Sequence, residues 1–344
     1  MNVSLWLLAG AALATATVAR AADAAAPPNI VVILSDDVGY GDVGYNGATK
    51  VHTPNIDRLA AGGLRFSDGH TASSTCTPSR YSILTGQYAF RNKHAVILPG
   101  NAPLVIDPAG STLPKILKAA GYATGFVGKW HLGLGSGTID WNGMVRPGPN
   151  EVGFDDAFYL AATPDRVPCV YLKDHQVVNL AADDPLAVSY QGKIGNEPTG
   201  RDHPELLRYP ADPQHSGTIV DHISRIGWMS GGHAAWWTDE DMAATFLARA
   251  QDFLREHKDQ RFFLYYCPHN IHVPRAPNGR FLHTSECGIR GDSIEELDAT
   301  VGKFLGTLKE LGLDRKTLVV FLQRQRAHLQ RWLRRRLGAR GQRA

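Results

Sequence analysis

The sequence predicts an α/β protein with a mostly parallel central sheet flanked by helices on both faces. Continuous apolar, β-branched runs such as "NIVVILS" (29–35) have the pattern of strands buried on both faces. These runs alternate along the chain with amphipathic helical segments, the order that builds a parallel sheet. A chain of 344 residues with 43% apolar and 20% charged residues is large enough for a substantial core and too apolar for general disorder.

The opening stretch "MNVSLWLLAGAALATATVARAADAAAPP" has an apolar run from Leu5 to Ala19 and an A-x-A site at Ala19-Arg20-Ala21. This predicts a signal peptide over residues 1–21, a linker over 22–28 and an exported protein, periplasmic or secreted. A membrane anchor is the alternative, but the run is short and rich in alanine, so no stable membrane insertion is expected.

After the first strand, Thr53-Pro54 opens a helix through Ile56, Leu59 and Ala60 that stops at Gly62-Gly63. In "SSTCTPSRYSILTG" (73–86), Pro78 reads as the first helical residue and Thr77 as its N-cap. Ser111 and Thr112 start a further helix ending at Gly121, and "YATGFVG" (122–128) is a strand. The segment 136–237 is rich in Gly, Pro and Asp and reads as loops and small insertions. Thr238 is expected to cap a helix whose apolar face is Ala243, Phe246, Leu247, Ala250, Phe253 and Leu254. "RFFLYY" (261–266) is a strand. Ile294, Leu297, Val301, Phe304, Leu308 and Leu311 mark a long helix ending at Gly312, and "TLVVFL" (317–322) is the last strand.

The four cysteines, Cys76, Cys169, Cys267 and Cys287, are far apart and lack the spacing of a disulfide scaffold. The last three are expected to be ordinary, partly buried thiols. Net charge is +3, yet residues 324–344 hold eight arginines and no acid, which leaves −5 on the rest. The basic balance therefore belongs to the tail, and no nucleic-acid partner is implied for the domain.

In parallel sheets, ligands bind beyond the carboxyl ends of the strands. The first strand ends in Asp36-Asp37, and the strand 122–128 runs into Lys129-Trp130-His131. The strand 261–266 runs into "CPHNIHVP", with His269 and His272. Cys76 lies at the start of its helix, where the dipole and free N–H groups favour an anion, with Arg80 one turn along. Such a setting lowers a thiol's pKa and equally suits a tetrahedral oxyanion. Trp130 either lines a pocket for a ring or simply packs.

"CTPSRYSILTG" resembles the C-x-P-x-R signature of type I sulfatases, members of the alkaline phosphatase superfamily that oxidise this cysteine to formylglycine. "ILSDD", "TPNIDRLA", "GKWHLG", "HNIHVPRAPNGRF" and "GDSIEELDATVGKFLGTLKELGLDRKTLVVF" are similar to the same family in the same order. The resemblance implies an arylsulfatase-like sulfuric ester hydrolase, with a catalytic domain over residues 29–322. It further implies that Asp36, Asp37 and modified residue 76 ligate Ca²⁺, or alternatively Mg²⁺, and that residue 76 supplies the nucleophilic hydroxyl. Arg80 would hold the geminal diol and Lys129 the sulfate; His131 would act as base, and His272 would contact the ester oxygen. His269-x-x-His272 also has transition-metal spacing, which remains a separate reading.

The implied substrate is a small-molecule sulfate ester or a sulfated carbohydrate, and the implied partner is a formylglycine-generating enzyme. The alternatives are a phosphonate or phosphodiester hydrolase with the same modification, and a non-catalytic sulfatase relative. The family pattern continues after its last matching strand with Ser/Thr-Asp-Asn-Gly and a later lysine, whereas residues 323–344 form an Arg-rich tail. On that pattern the second metal-ligand pair and the C-terminal subdomain are missing and activity is expected to be impaired. A reading-frame slip, a basic amphipathic helix and a nucleic-acid arm are the three readings of the tail.

Overall fold

The computed structural model describes residues 26–324. The expected signal peptide and the tail from residue 325 onward lie outside the described residues.

In chain order the elements are β1 (Asn29–Asp36), α1 (Pro54–Ala61), α2 (Cys76–Thr85), α3 (Leu113–Ala119), β2 (Ala123–Lys129), α4 (Pro149–Val152) and β3 (Asp156–Leu160). They continue with β4 (Tyr171–Lys173), β5 (Gln176–Val177), β6 (Ala187–Ser189), β7 (Ile219–Val220), β8 (Ile223–Ser224), β9 (Trp228–Ser230), α5 (Met242–Glu256), β10 (Phe262–Cys267), α6 (Gly288–Glu310) and β11 (Thr317–Arg324).

Seven strands form the main sheet in the order β11-β1-β10-β2-β3-β4-β5. The first four pairings are parallel, and β4 and β5 are added antiparallel. The parallel part is read correctly from its apolar runs, and every residue of β10 is buried. The segment expected to hold only loops and small insertions instead contributes β3, β4 and β5 to the sheet. Its remaining strands form two small ribbons, β6-β9 and β7-β8. Five- and three-residue strands carry too short a pattern to separate from loop.

Helices α1, α5 and α6 pack together, as do α2 and α3, and both groups reach β2. The core centres on Phe126 in β2, whose ring lies 5.1 Å from Trp130, 5.4 Å from Phe154, 5.8 Å from Tyr265 and 6.0 Å from Tyr159. Trp130 is thereby a packing residue, and its indole N–H donates to Gly133 O at 2.8 Å.

Several boundaries differ from the expectation. Helix α2 starts at Cys76 with Thr75 as N-cap, so Pro78 is its third residue. Proline is tolerated there because N–H groups of the first turn have no helical partner. Thr238 precedes a short 3₁₀ turn at Asp239–Asp241 and makes no side-chain cap, and α5 begins only at Met242. Cys169 and Cys267 are fully buried rather than partly so, while Cys287 is exposed.

Helix α6 binds its surroundings through carboxylates. Asp298 accepts the Ile56 N–H at 2.8 Å, and Glu295 accepts the His52 N–H at 2.9 Å. Glu296 accepts the Asn278 N–H at 3.1 Å, and Asp292 accepts those of His283 and Ser285 at 3.0 Å. Backbone donors of separate loops are thus satisfied from one rigid element, as buried N–H groups require.

Candidate active site

Strand order explains the convergence. Strands β1, β10 and β2 are neighbours, so their carboxyl ends deliver Asp36, the 268–274 loop and Lys129 side by side. The loop is clamped to β1 by two backbone bonds: Asp36 N–H to Asn270 O at 3.3 Å and Ile271 N–H to Asp36 O at 2.9 Å. Helix α2 enters with Cys76 in its first turn, at the positive end of the helix dipole.

At the centre, Lys129 Nζ donates to Asp36 Oδ2 and lies 3.2 Å from Cys76 Sγ. Asp36 and Lys129 have no exposed surface, and Cys76 is 7% exposed. Arg80 donates through Nη1 to Lys129 O at 2.6 Å, and its Nη2 stands 3.7 Å from Asp36 Oδ2. The Nε and Nη2 of Arg80 have no hydrogen-bond partner among the described residues, a buried cationic edge suited to an anion.

Burial opposes ionisation of Cys76, but Lys129, then His272 and Arg80 beside it, overcome it and bring the thiol down to about 6. Burial lowers Lys129 to about 8, against the opposing pull of Cys76. The thiol is therefore held toward its anionic form by groups that would equally bind a sulfate.

His131 lies just past β2 in the left-handed region at φ 55°. Its carbonyl accepts the Thr77 hydroxyl at 2.7 Å, which ties it to the Cys76 segment. Leu98 O lies 2.9 Å from Nε2. A carbonyl only accepts, so Nε2 carries the proton and Nδ1, which has no partner, is the bare acceptor. Burial, with Lys129 and Arg166 beyond it, holds His131 well below the ordinary histidine range.

By the same argument His272 Nδ1 donates to Val273 O at 2.7 Å, which leaves Nε2 to face Cys76. His269 is buried beside Phe246 and held neutral, at about 3, by burial and then by His272 and Lys129.

Asp36, Cys76 and His272 place one ligand atom each within 4.8 Å of one another, the one such group among the described residues. His269 is not part of that group. Asp37 is half-buried outside that group, close enough to Lys129 to bias its charge. The adjacent carboxylates of Asp36 and Asp37 fit a hard cation in donor chemistry, whereas the sulfur of unmodified Cys76 does not.

Sequence reasoning missed a second polar cluster. Asp165, from the segment between β3 and β4, has Oδ1 4.0 Å from His272 Nδ1. It accepts from Arg166 at 2.9 Å and lies 3.1 Å from His215 Nε2. His272 and the His215 hydrogen bond depress its pKa against its burial. Only "TPDR" and "DPQHSG" mark these residues in the sequence, and neither carries a periodicity or a spacing that sets it apart.

The sulfatase family pattern matches residues 28–322, most of the chain and all but the last two residues of the main sheet. The chain belongs to the sulfatase family. This sulfatase-family chain is 48% identical over 295 residues to an N-acetylgalactosamine-6-O-sulfatase of Bacteroides thetaiotaomicron, a match covering 86% of the chain and 58% of that protein. It is 35% identical over 326 residues to arylsulfatase A of Bos taurus, covering 90% of the chain and 54% of that protein. A solved structure described under metabolism of multiple glycosaminoglycans by Bacteroides thetaiotaomicron superposes with a TM-score of 0.85 at 47% identity, over 86% of the chain and 62% of the other. The chain spans about half the length of the curated relatives it matches.

Proposed function

We propose that this chain hydrolyses sulfate esters of carbohydrates, with 6-O-sulfated N-acetylgalactosamine as the first candidate, through a formylglycine made from Cys76. The observation that carries this reading is the buried arrangement of Cys76, Lys129, Arg80, Asp36 and His272 around one point. The identity to an N-acetylgalactosamine-6-O-sulfatase supports the sugar.

In this reading a separate maturing enzyme oxidises Cys76, and residue 76 then offers an oxygen nucleophile to sulfur. Asp36 and Asp37, with the residue-76 oxygen, would hold Ca²⁺ or Mg²⁺; such an ion neutralises the sulfate and polarises its S–O bonds. Lys129 and Arg80 bind the sulfate oxygens and stabilise their growing charge. The bare Nδ1 of His131 takes a proton, and His272 serves the departing alcohol through Nε2. Export follows from the signal peptide expected at residues 1–21. No helix among the described residues is long and apolar enough to cross a membrane.

The deciding assay co-expresses the chain with a formylglycine-generating enzyme and confirms modification of residue 76 by peptide mass spectrometry. Sulfate release is then measured on 6-O-sulfated N-acetylgalactosamine, an aryl sulfate and a matched phosphonate ester, with and without Ca²⁺. Release from the sulfated sugar, lost in Cys76→Ser, supports the proposal. Preference for the phosphonate would assign the chain to that chemistry instead. A matured, cooperatively melting chain without turnover overturns the enzymatic reading and leaves a sulfate-binding relative.

A further inference from the structure

We infer that Glu296 is a positioning residue for the active-site loop, acting through Asn270 to fix where His272 stands. The inference rests on the reading that His272 serves the reaction.

Glu296 lies on α6 and is 2% exposed, yet none of the chemistry above uses it. Its two oxygens are each engaged. Oε2 accepts Asn270 Nδ2 at 2.9 Å and Oε1 accepts the Asn278 N–H at 3.1 Å. Asn270 is itself 2% exposed and lies between His269 and His272, both nearly buried. Its carbonyl accepts the Asp36 N–H, and the next residue returns a bond to Asp36 O. One carboxylate on a rigid helix therefore restrains both ends of the 270–278 segment, and through Asn270 it also restrains the end of β1.

The geometry has a directional consequence. The 268–274 loop lacks regular structure apart from its clamp to β1, so side-chain restraints decide its position. If Glu296 is removed, Asn270 Nδ2 is left buried with no acceptor and the half-buried Asn278 N–H loses its partner, so the loop must move to satisfy them. A move of about 1 Å at a reacting group costs on the order of a hundredfold in rate. Asp36 shares the same clamp, so the disturbance reaches the cation-facing carboxylate as well. By contrast, a row of acids that merely held α6 in place would change stability and leave the histidines alone.

Glutamine at 296 separates the two cases. Its carbonyl can still accept from Asn278, while its amide can donate to Asn270 Oδ1, which has no partner at present. An amide flip of Asn270 therefore restores a bridge of the same length.

The test compares Glu296→Leu and Glu296→Gln with the parent 344-residue chain. Melting is followed first, so that assays run well below each transition. Long-range proton–nitrogen spectra of the histidine rings, assigned with His269→Asn and His272→Asn, then report loop position independently of any turnover. Displaced His269 and His272 resonances in Glu296→Leu, returning toward parental values in Glu296→Gln, support the inference. In matured protein, kcat should fall tenfold to a hundredfold in Glu296→Leu and recover to within about threefold in Glu296→Gln. Folded Glu296→Leu with parental histidine spectra overturns it, as does parental kcat in an active preparation. A parent without sulfatase activity counts against the proposed function alone, because the spectra still decide the positioning role. Should Glu296→Leu not fold, Asn270→Ala in the same spectra carries the decision: unchanged His272 signals there overturn the inference.

Discussion

Replacing Lys129 by methionine removes the ammonium that faces both Asp36 and Cys76 while keeping most of the buried aliphatic volume. Lys129 Nζ and Cys76 Sγ are 3.2 Å apart, both in residues with almost no exposure. Unit charges at that distance interact by about 5 kcal/mol with an effective dielectric near 20. Each pKa unit corresponds to about 1.4 kcal/mol, so loss of Lys129 can move the thiol by several units. Methionine also takes the ammonium away from Asp36, whose negative charge beside the sulfur is then less compensated, which pushes the same way. The parent thiol, at about 6, should therefore titrate at least two units higher in Lys129→Met. The assay is thiolate ultraviolet absorbance against pH on unmodified protein, read as the difference from Cys76→Ser, which removes the other three cysteines from the signal. The sign carries into stability. A thiol depressed in the folded state stabilises it fully above the unfolded value of about 8.5, and the contribution is lost as pH falls through about 6. The pH dependence of melting should flatten over that window in Lys129→Met. A midpoint that stays near 6 would refute the assignment of Lys129 as the group that ionises Cys76.

Two further perturbations address the scaffold. Arg225 is fully buried, forms a two-pronged pair with Asp239 and donates to Pro164 O at 2.7 Å, next to Asp165. Asp239→Asn leaves that charge without its partner and should cost about 3–5 kcal/mol in denaturant unfolding, whereas a loss under 1 kcal/mol would show the pair to be dispensable. A methyl at Gly125 in β2 would run into the Phe253 ring of α5. Gly125→Ala should therefore lower stability by about 1–3 kcal/mol, and an unchanged melting temperature would contradict that packing.

How far the sequence could be read follows from the kind of signal each part carries. Strands β1, β2 and β10 are apolar runs of six to eight residues whose burial leaves an unmistakable pattern, and β11 shows the same apolar run although its described side chains are only partly buried or exposed. The residues that end three of them were legible because parallel topology places strand ends on one rim. The start of α2 was displaced by two residues because proline was read as position one, although it fits anywhere in the first turn. Asp165, Arg166 and His215 were invisible because nothing local distinguishes a loop aspartate that will meet His272 from one facing water. Glu296 was part of a quoted motif, but its partner Asn270 lies 26 residues earlier and only the fold joins them.

The position of β10 in the sheet has a temporal consequence. This strand lies between β1 and β2, yet it follows β1 by more than two hundred residues, with Asn29 meeting Phe262 across a separation of 233. A chain emerging from synthesis has β1, α2 and β2 long before the strand that must be inserted between its outer neighbours. Such long-range pairing is slow, because loop closure is paid for before contacts return it. In the folded chain Cys76 is 7% exposed, and His272, on the loop that follows β10, is one of the groups that enclose it, so part of that cover is missing until β10 is in place. A catalyst too large to enter the folded rim would reach that sulfur more readily in this interval than after it.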